Sequence, residues 1–241
     1  MKKFLWVLLL FPLMLFAAGP MTHLYFAEKW AEQNPIASDE ALRDFILGNL
    51  FPDIRYIANI PREWTHADVY SIEEVGASPT PFEGGMKLHA FVDMVREEFV
   101  ERTGIYAYVI PYAEGYPATL LKFIEEEILA DRFDGRRYSY CLDWIIEDEL
   151  RLGLTEDVVD HWHSRLRYCM NARPSWLLWF ASGKSHFGLP ASVIYNWSYL
   201  LPKLAQEPVF QRHVVEMLRH VETAIRGDYS IPIFTSLNGL N

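Results

Sequence analysis

Five side chains in this sequence have the types to hold a metal ion, and two of them also have the spacing. The tightest pairing is His89-Ala-Phe-Val-Asp93. On a helix, positions i and i+4 share a face one turn apart, so an imidazole nitrogen and a carboxylate oxygen can converge on one ion. Both are good ligands for zinc. Three further candidates lie upstream: His23, Asp53 and His66. Taken singly, each has an ordinary reading. An Asp after Pro suits a turn, a histidine in a loop is commonly solvated, and a lone His-x-x-x-Asp occurs often without metal.

The elements that must position these residues read as helices, with no stretch of period-two alternation. Thr22 is expected to cap a helix running to about Gln33. Ser38 caps a second, which ends near Gly48 and Asn49. A long loop then runs to about Phe82, and long ordered loops are often functional. Further helices are expected over residues 85–102, 117–131, 138–151 and 155–171, the last capped by Thr155. Pro174 opens another, and two more cover 190–204 and 208–226. His213 and His220, with Glu216 between them, read as the solvated face of the final helix. The class is all-α. With 51% apolar residues and no linker or repeat, the chain is long enough for one sizeable core. Aromatics reach 15%, and most are expected in that core.

The first 17 residues have the layout of a secretory signal peptide. Lys2 and Lys3 precede an uninterrupted apolar run, Phe4 to Phe16, and small residues follow at Ala17, Ala18 and Gly19. The run is short for a membrane span of about 20 residues. The protein is therefore expected to be exported, periplasmic or secreted. Cys141 and Cys169 would then face an oxidising compartment, either bridging two helices or remaining as free thiols. The net charge of −10 disfavours a stable complex with nucleic acid. It does not exclude hydrolysis of a phosphate ester, because metal ions neutralise phosphate locally.

In chain order the candidates form a series: Thr22-His23, Gly48 to Asp53, Thr65-His66, and Gly85 to Asp93. This series resembles the zinc-dependent phospholipase C and S1/P1 nuclease superfamily, over residues 18 to about 100. The resemblance implies an exported, single-domain multi-helix bundle over residues 18–241 that hydrolyses phosphodiesters with a zinc cluster. It also implies that Asp53, His66, His89 and Asp93 hold one zinc, and that Asp93 bridges to another. His23 would bind that second ion together with the freed amino terminus of Ala18, five residues upstream. Asp53 would orient the attacking water or accept its proton, and Arg55 or Arg62 would hold a phosphate.

The chain departs from the family at three points. The family has a His shortly after the His-x-x-x-Asp element, where this chain reads Met94 to Phe99, with Glu97 the nearest substitute. The family's later His-x-x-x-Glu or His-x-x-x-Asp pair is also missing, which leaves Asp157 with His161, His163 or His186 as candidates. The family's terminal Trp is absent too. The expectation is one to three zinc ions and a phosphate ester substrate, phospholipid or nucleotide, with peripheral membrane contact. The rival expectation is an exported, non-catalytic metal- or phosphate-binding protein that has lost one site.

Overall fold

The computed structural model describes residues 18–185 and 188–228, so residues 1–17, read above as a signal peptide, and His186 lie outside the described residues. The described chain is all-helical. Its α-helices are α1 (Pro20–Gln33), α2 (Asp39–Leu50), α3 (Arg55–Ala58), α4 (Glu73–Gly76), α5 (Pro81–Thr103) and α6 (Tyr106–Val109). They continue with α7 (Pro117–Leu129), α8 (Glu147–Leu150), α9 (Glu156–Asn171), α10 (Pro174–Ala181), α11 (Ala191–Leu204) and α12 (Pro208–Ile225).

The packing of α2 on α5 is the closest in the structure, and glycine permits it. A Cβ added to Gly48 would lie 2.0 Å from the Phe82 carbonyl oxygen, and one added to Gly85 would lie 2.1 Å from that of Phe45. The two backbones touch, and no larger residue fits at either point. Gly48 lies in the last turn of α2, near the helix end as expected, and there serves as a packing surface. Phe45, Ile46, Leu88 and Val92 close the core around this crossing. A buried ionic link then ties α5 to α7 and α12. Arg96 donates to the Glu125 carboxylate at 2.8 Å, and His213 Nε2 lies 3.0 Å from the other Glu125 oxygen.

Several local expectations are corrected. Thr22 is not an N-cap, because α1 begins at Pro20. The capping oxygens come from α7 instead. Glu126 accepts the amides of Met21 and Thr22 and the Thr22 hydroxyl, at 2.7–3.1 Å, where a carboxylate suits the positive end of a helix. Gly19 leaves room for it, since a Cβ there would sit 2.4 Å from the Glu126 carboxyl carbon. Ser38 does cap α2, accepting the Ala41 amide. The long loop is not featureless: 3-10 turns at Phe51–Ile54 and Arg62–Trp64 and the short α3 and α4 occupy much of it. The following helix starts at Pro81 rather than Gly85, capped by Thr80. The helix expected over 138–151 is a 3-10 stretch, Gly135–Asp143, followed by α8. Thr155 stands at the N-cap of α9 but accepts no capping hydrogen bond.

The solvated histidines and the buried aromatics also need correction. His213 is buried on Glu125, and His220 is only partly exposed, packed against Phe99 and facing Glu98. Of the seven described tryptophans, Trp64, Trp144, Trp176 and Trp179 are exposed. Both cysteines are free thiols.

If the glycine crossing sets the fold, Gly85→Ala should lower unfolding free energy by about 2–3 kcal/mol, the usual cost of overpacking. Chemical denaturation measures this, and an unchanged midpoint would show that the helices can separate freely.

Candidate metal centre

The elements just described bring all five sequence candidates to one buried point. His23 comes from the second turn of α1, Asp53 from the 3-10 turn after α2, and His66 from the segment after the Arg62–Trp64 turn. His89 and Asp93 come from successive turns of α5. The Asp93 carboxylate is the hub. His23 Nε2 lies 3.3 Å from its Oδ1, while His66 Nε2 and His89 Nε2 lie 3.7 and 3.6 Å from its Oδ2. The backbone amide of Ala18 donates to Oδ1 at 2.8 Å.

The His23, His66 and His89 distances to Asp93 are longer than good hydrogen bonds, which run to about 3.2 Å. They match the separation of two donors on one ion, each about 2.0–2.2 Å from it. Two overlapping sets satisfy that spacing: His23, Asp53 and His89, and His66, His89 and Asp93, with donors within 4.8 Å of one another in each. The polar atoms that face inward have no hydrogen-bond partner. They include His23 Nε2, Asp53 Oδ1, His66 Nε2, His89 Nε2 and Asp93 Oδ2. Burying so many unpaired groups is costly, and a cation among them removes the cost. The donor set therefore fits a metal ion.

Outer contacts fix which nitrogen His66 and His89 offer, whereas neither ring nitrogen of His23 has a hydrogen-bond partner among the described residues. His89 Nδ1–H donates to the Asn49 carbonyl at 2.8 Å, leaving Nε2 with its lone pair toward the cluster. His66 Nδ1 lies 3.0 Å from the Thr65 hydroxyl, which itself donates to the Arg62 carbonyl. Such partners hold ligand rings in the correct tautomer and raise their basicity. The His23 and His89 rings stack with centroids 3.6 Å apart.

Electrostatics keep the ligands in metal-ready form. Burial, helped by nearby Arg62, pushes His66 down from 6.5 to about 3. Burial and the neighbouring His23 push His89 well below its ordinary value. Burial alone would raise the Asp93 carboxyl, but His89, His23 and the Ala18 amide outweigh it and hold the group low. Asp53 is different: burial raises it, opposed by His23 and Lys122. It is the carboxylate best suited to accept a proton.

The remaining candidates lie elsewhere. Glu97 contacts Arg96 and Tyr106. Asp157 is exposed, His161 contacts Arg165, and His163 is held by Glu149 at 2.7 Å and the Leu142 carbonyl. Among the described residues there is no third set of metal-spaced donors. Sequence reasoning missed Asn49, Glu126 and Lys122. Lys122 is buried and lines a mostly apolar cavity of about 120 Å³ beside Asp53, together with Ala18, Phe123, Leu166 and Leu178. Burial pushes its pKa down, while Asp53 opposes the shift. A single polar residue inside an apolar helix face gives no sequence signal for that position.

Compared with known protein families, curated proteins and solved structures, the chain matches none.

The His66 shift predicts a pH effect on the metal-free protein. A depressed folded-state value means that the unfolded chain binds more protons, so this residue's contribution is whole above about 6.5 and is lost as pH falls toward about 3. Thermal melts from pH 7 to pH 4 should show a smaller acid-induced drop for His66→Gln than for the parent. Parallel drops in the two proteins would contradict the assignment.

Proposed function

We propose that this protein is an exported zinc-dependent phosphoesterase that hydrolyses phosphodiester bonds. The observation that carries this reading is the set of buried, unpartnered donors of His23, Asp53, His66, His89 and Asp93 around one point. Imidazole nitrogens and carboxylate oxygens are zinc's preferred ligand types. The motif series that resembles the phospholipase C and P1 nuclease superfamily supports the same conclusion.

In this reading His66, His89 and Asp93 hold one ion, while Asp53 falls with His23 and His89 in the other donor set and not with His66 and Asp93 as the resemblance implied. His23 and Asp93 contribute to a second, and the Ala18 nitrogen, now 2.8 Å from Asp93, lies where a freed α-amine would join them. Bound zinc supplies Lewis acidity, which makes a nearby water acidic near neutrality and offsets charge on phosphoryl oxygens. The chain supplies the rest. Asp53, at the wall of the cavity, orients the attacking water or accepts its proton. Arg62, half exposed and 3.7 Å from Asp93, can turn its guanidinium onto a phosphate oxygen. Lys122 places a second cation at the edge of the cavity, and the apolar wall there accepts the organic part of an ester.

A second reading has one observation in its favour. The described residues provide two overlapping donor sets and not a third, so the site suits one or two ions where the family uses three. That is the expectation for a binding protein that has lost catalysis.

Hydrolysis of a chromogenic phosphodiester separates the two. The phosphoesterase reading expects turnover that chelator removes and zinc restores. It also expects His89→Ala to lower kcat/KM by more than about 100-fold, the upper range for losing a mere outer-shell partner. Zinc bound tightly without turnover would favour the binding protein. Activity and metal content that both survive His89→Ala would remove the ligand assignment altogether.

A further inference from the structure

Among the described residues, the outer face of α10 is a hydrophobic surface without a partner. The helix reads Pro-Ser-Trp-Leu-Leu-Trp-Phe-Ala and carries no charged residue. Leu178 is fully buried beneath it, yet Trp176, Trp179 and Phe180 are 60%, 54% and 75% exposed. These three lie three and four positions apart, on one face. A surface helix ordinarily shows polar residues to water. Three large rings on a charge-free helix mark a surface that something apolar covers.

Charge indicates what covers it. Residues 161–206 contain no Asp or Glu, in a chain with 32 acidic residues. The same stretch carries Arg165, Arg167, Arg173, Lys184 and Lys203. Acids from neighbouring elements reach the start of α10, but Glu127 and Asp131 are both bonded to Arg173. Arg167 is paired with Asp143. Lys184, just past the end of α10, is exposed. Aromatic rings beside unopposed lysine suit the headgroup region of an anionic bilayer, where tryptophan is favoured and each nearby cation adds attraction. A twofold contact between copies would instead set this acid-free, cation-bearing stretch against itself.

We propose that α10 is a membrane-docking surface, on which Trp176, Trp179 and Phe180 enter the interface of an anionic bilayer while Lys184 meets its headgroups. The helix is eight residues long, and among the described residues no helix is long and apolar enough to cross a membrane. The contact is therefore peripheral. Docking also has a direction. Leu177 and Leu178, on the inner side of α10, line the cavity that reaches Asp53 and Lys122. A bilayer held on the outer side brings lipid next to the wall of the metal centre.

Co-sedimentation with phosphatidylglycerol–phosphatidylcholine vesicles tests this with the whole chain. Trp176→Ser/Trp179→Ser/Phe180→Ser should lower affinity by roughly tenfold or more, as expected when inserted aromatic area is removed. Lys184→Gln should weaken binding by about fivefold on anionic vesicles and leave it unchanged on pure phosphatidylcholine. Brominated lipid should quench tryptophan emission in the parent, and much less in Trp176→Phe/Trp179→Phe, a conservative pair that keeps the fold. Chelator should leave vesicle binding intact, so failure of the metal reading and failure of this one are distinguishable. Three results would overturn the proposal: no binding by the parent, equal binding by the triple variant (which would place any contact elsewhere, such as residues 4–16), or a parent dimer that the triple variant converts to monomer.

Discussion

The structure depends on the contact of two helix backbones at Gly48 and Gly85. Only glycine lets α2 and α5 approach this closely. The approach brings the carbonyl of Asn49 within 2.8 Å of His89 Nδ1, and that bond aims Nε2 at the cluster. It also sets the end of α2, from which the turn carrying Asp53 departs, beside the turn of α5 carrying Asp93. A wider crossing would separate the donors by more than the reach of a shared ion. The glycines thus belong to the site although neither touches a ligand.

That arrangement concentrates unsatisfied polarity where a folded protein ordinarily avoids it. Imidazoles stacked at 3.6 Å, a carboxylate approached by three of them, and several buried atoms without partners all oppose folding when taken alone. The surroundings hold this in place. Glu126 fastens the start of α1 from α7, and Arg96 with Glu125 and His213 locks α5 to α7 and α12. The rigidity of these satisfied networks lets the unsatisfied one persist, as is usual where function opposes stability.

The all-helical class was legible because apolar residues recur at helical spacing along most of the chain. The five candidate residues, which the structure brings close together, were singled out through the resemblance of their series to a family, since no two belong together by sequence distance except His89 and Asp93. What escaped was set by tertiary contact. The start of α1 moved upstream of Thr22 because a glutamate about a hundred residues away supplies the capping oxygens. The segment around Tyr138 reads as helix in composition, yet it tightens into 3-10 turns against α9, where the Leu142 carbonyl lies 3.1 Å from His163. His213 has the spacing of a solvated residue, and only the position of Glu125 on another helix explains its burial. The exposed rings of α10 are apolar by type, so a rule that buries apolar residues misplaces them.

The central claim is that these five side chains form a centre for one or two cations, and anomalous scattering at the zinc edge from crystals grown with zinc tests it most directly. The account predicts a peak about 2.0–2.2 Å from the Nε2 atoms of His66 and His89 and from an Asp93 oxygen, with any second peak beside His23. Zinc found only away from these residues, or a cluster filled by water at saturating zinc, would contradict it.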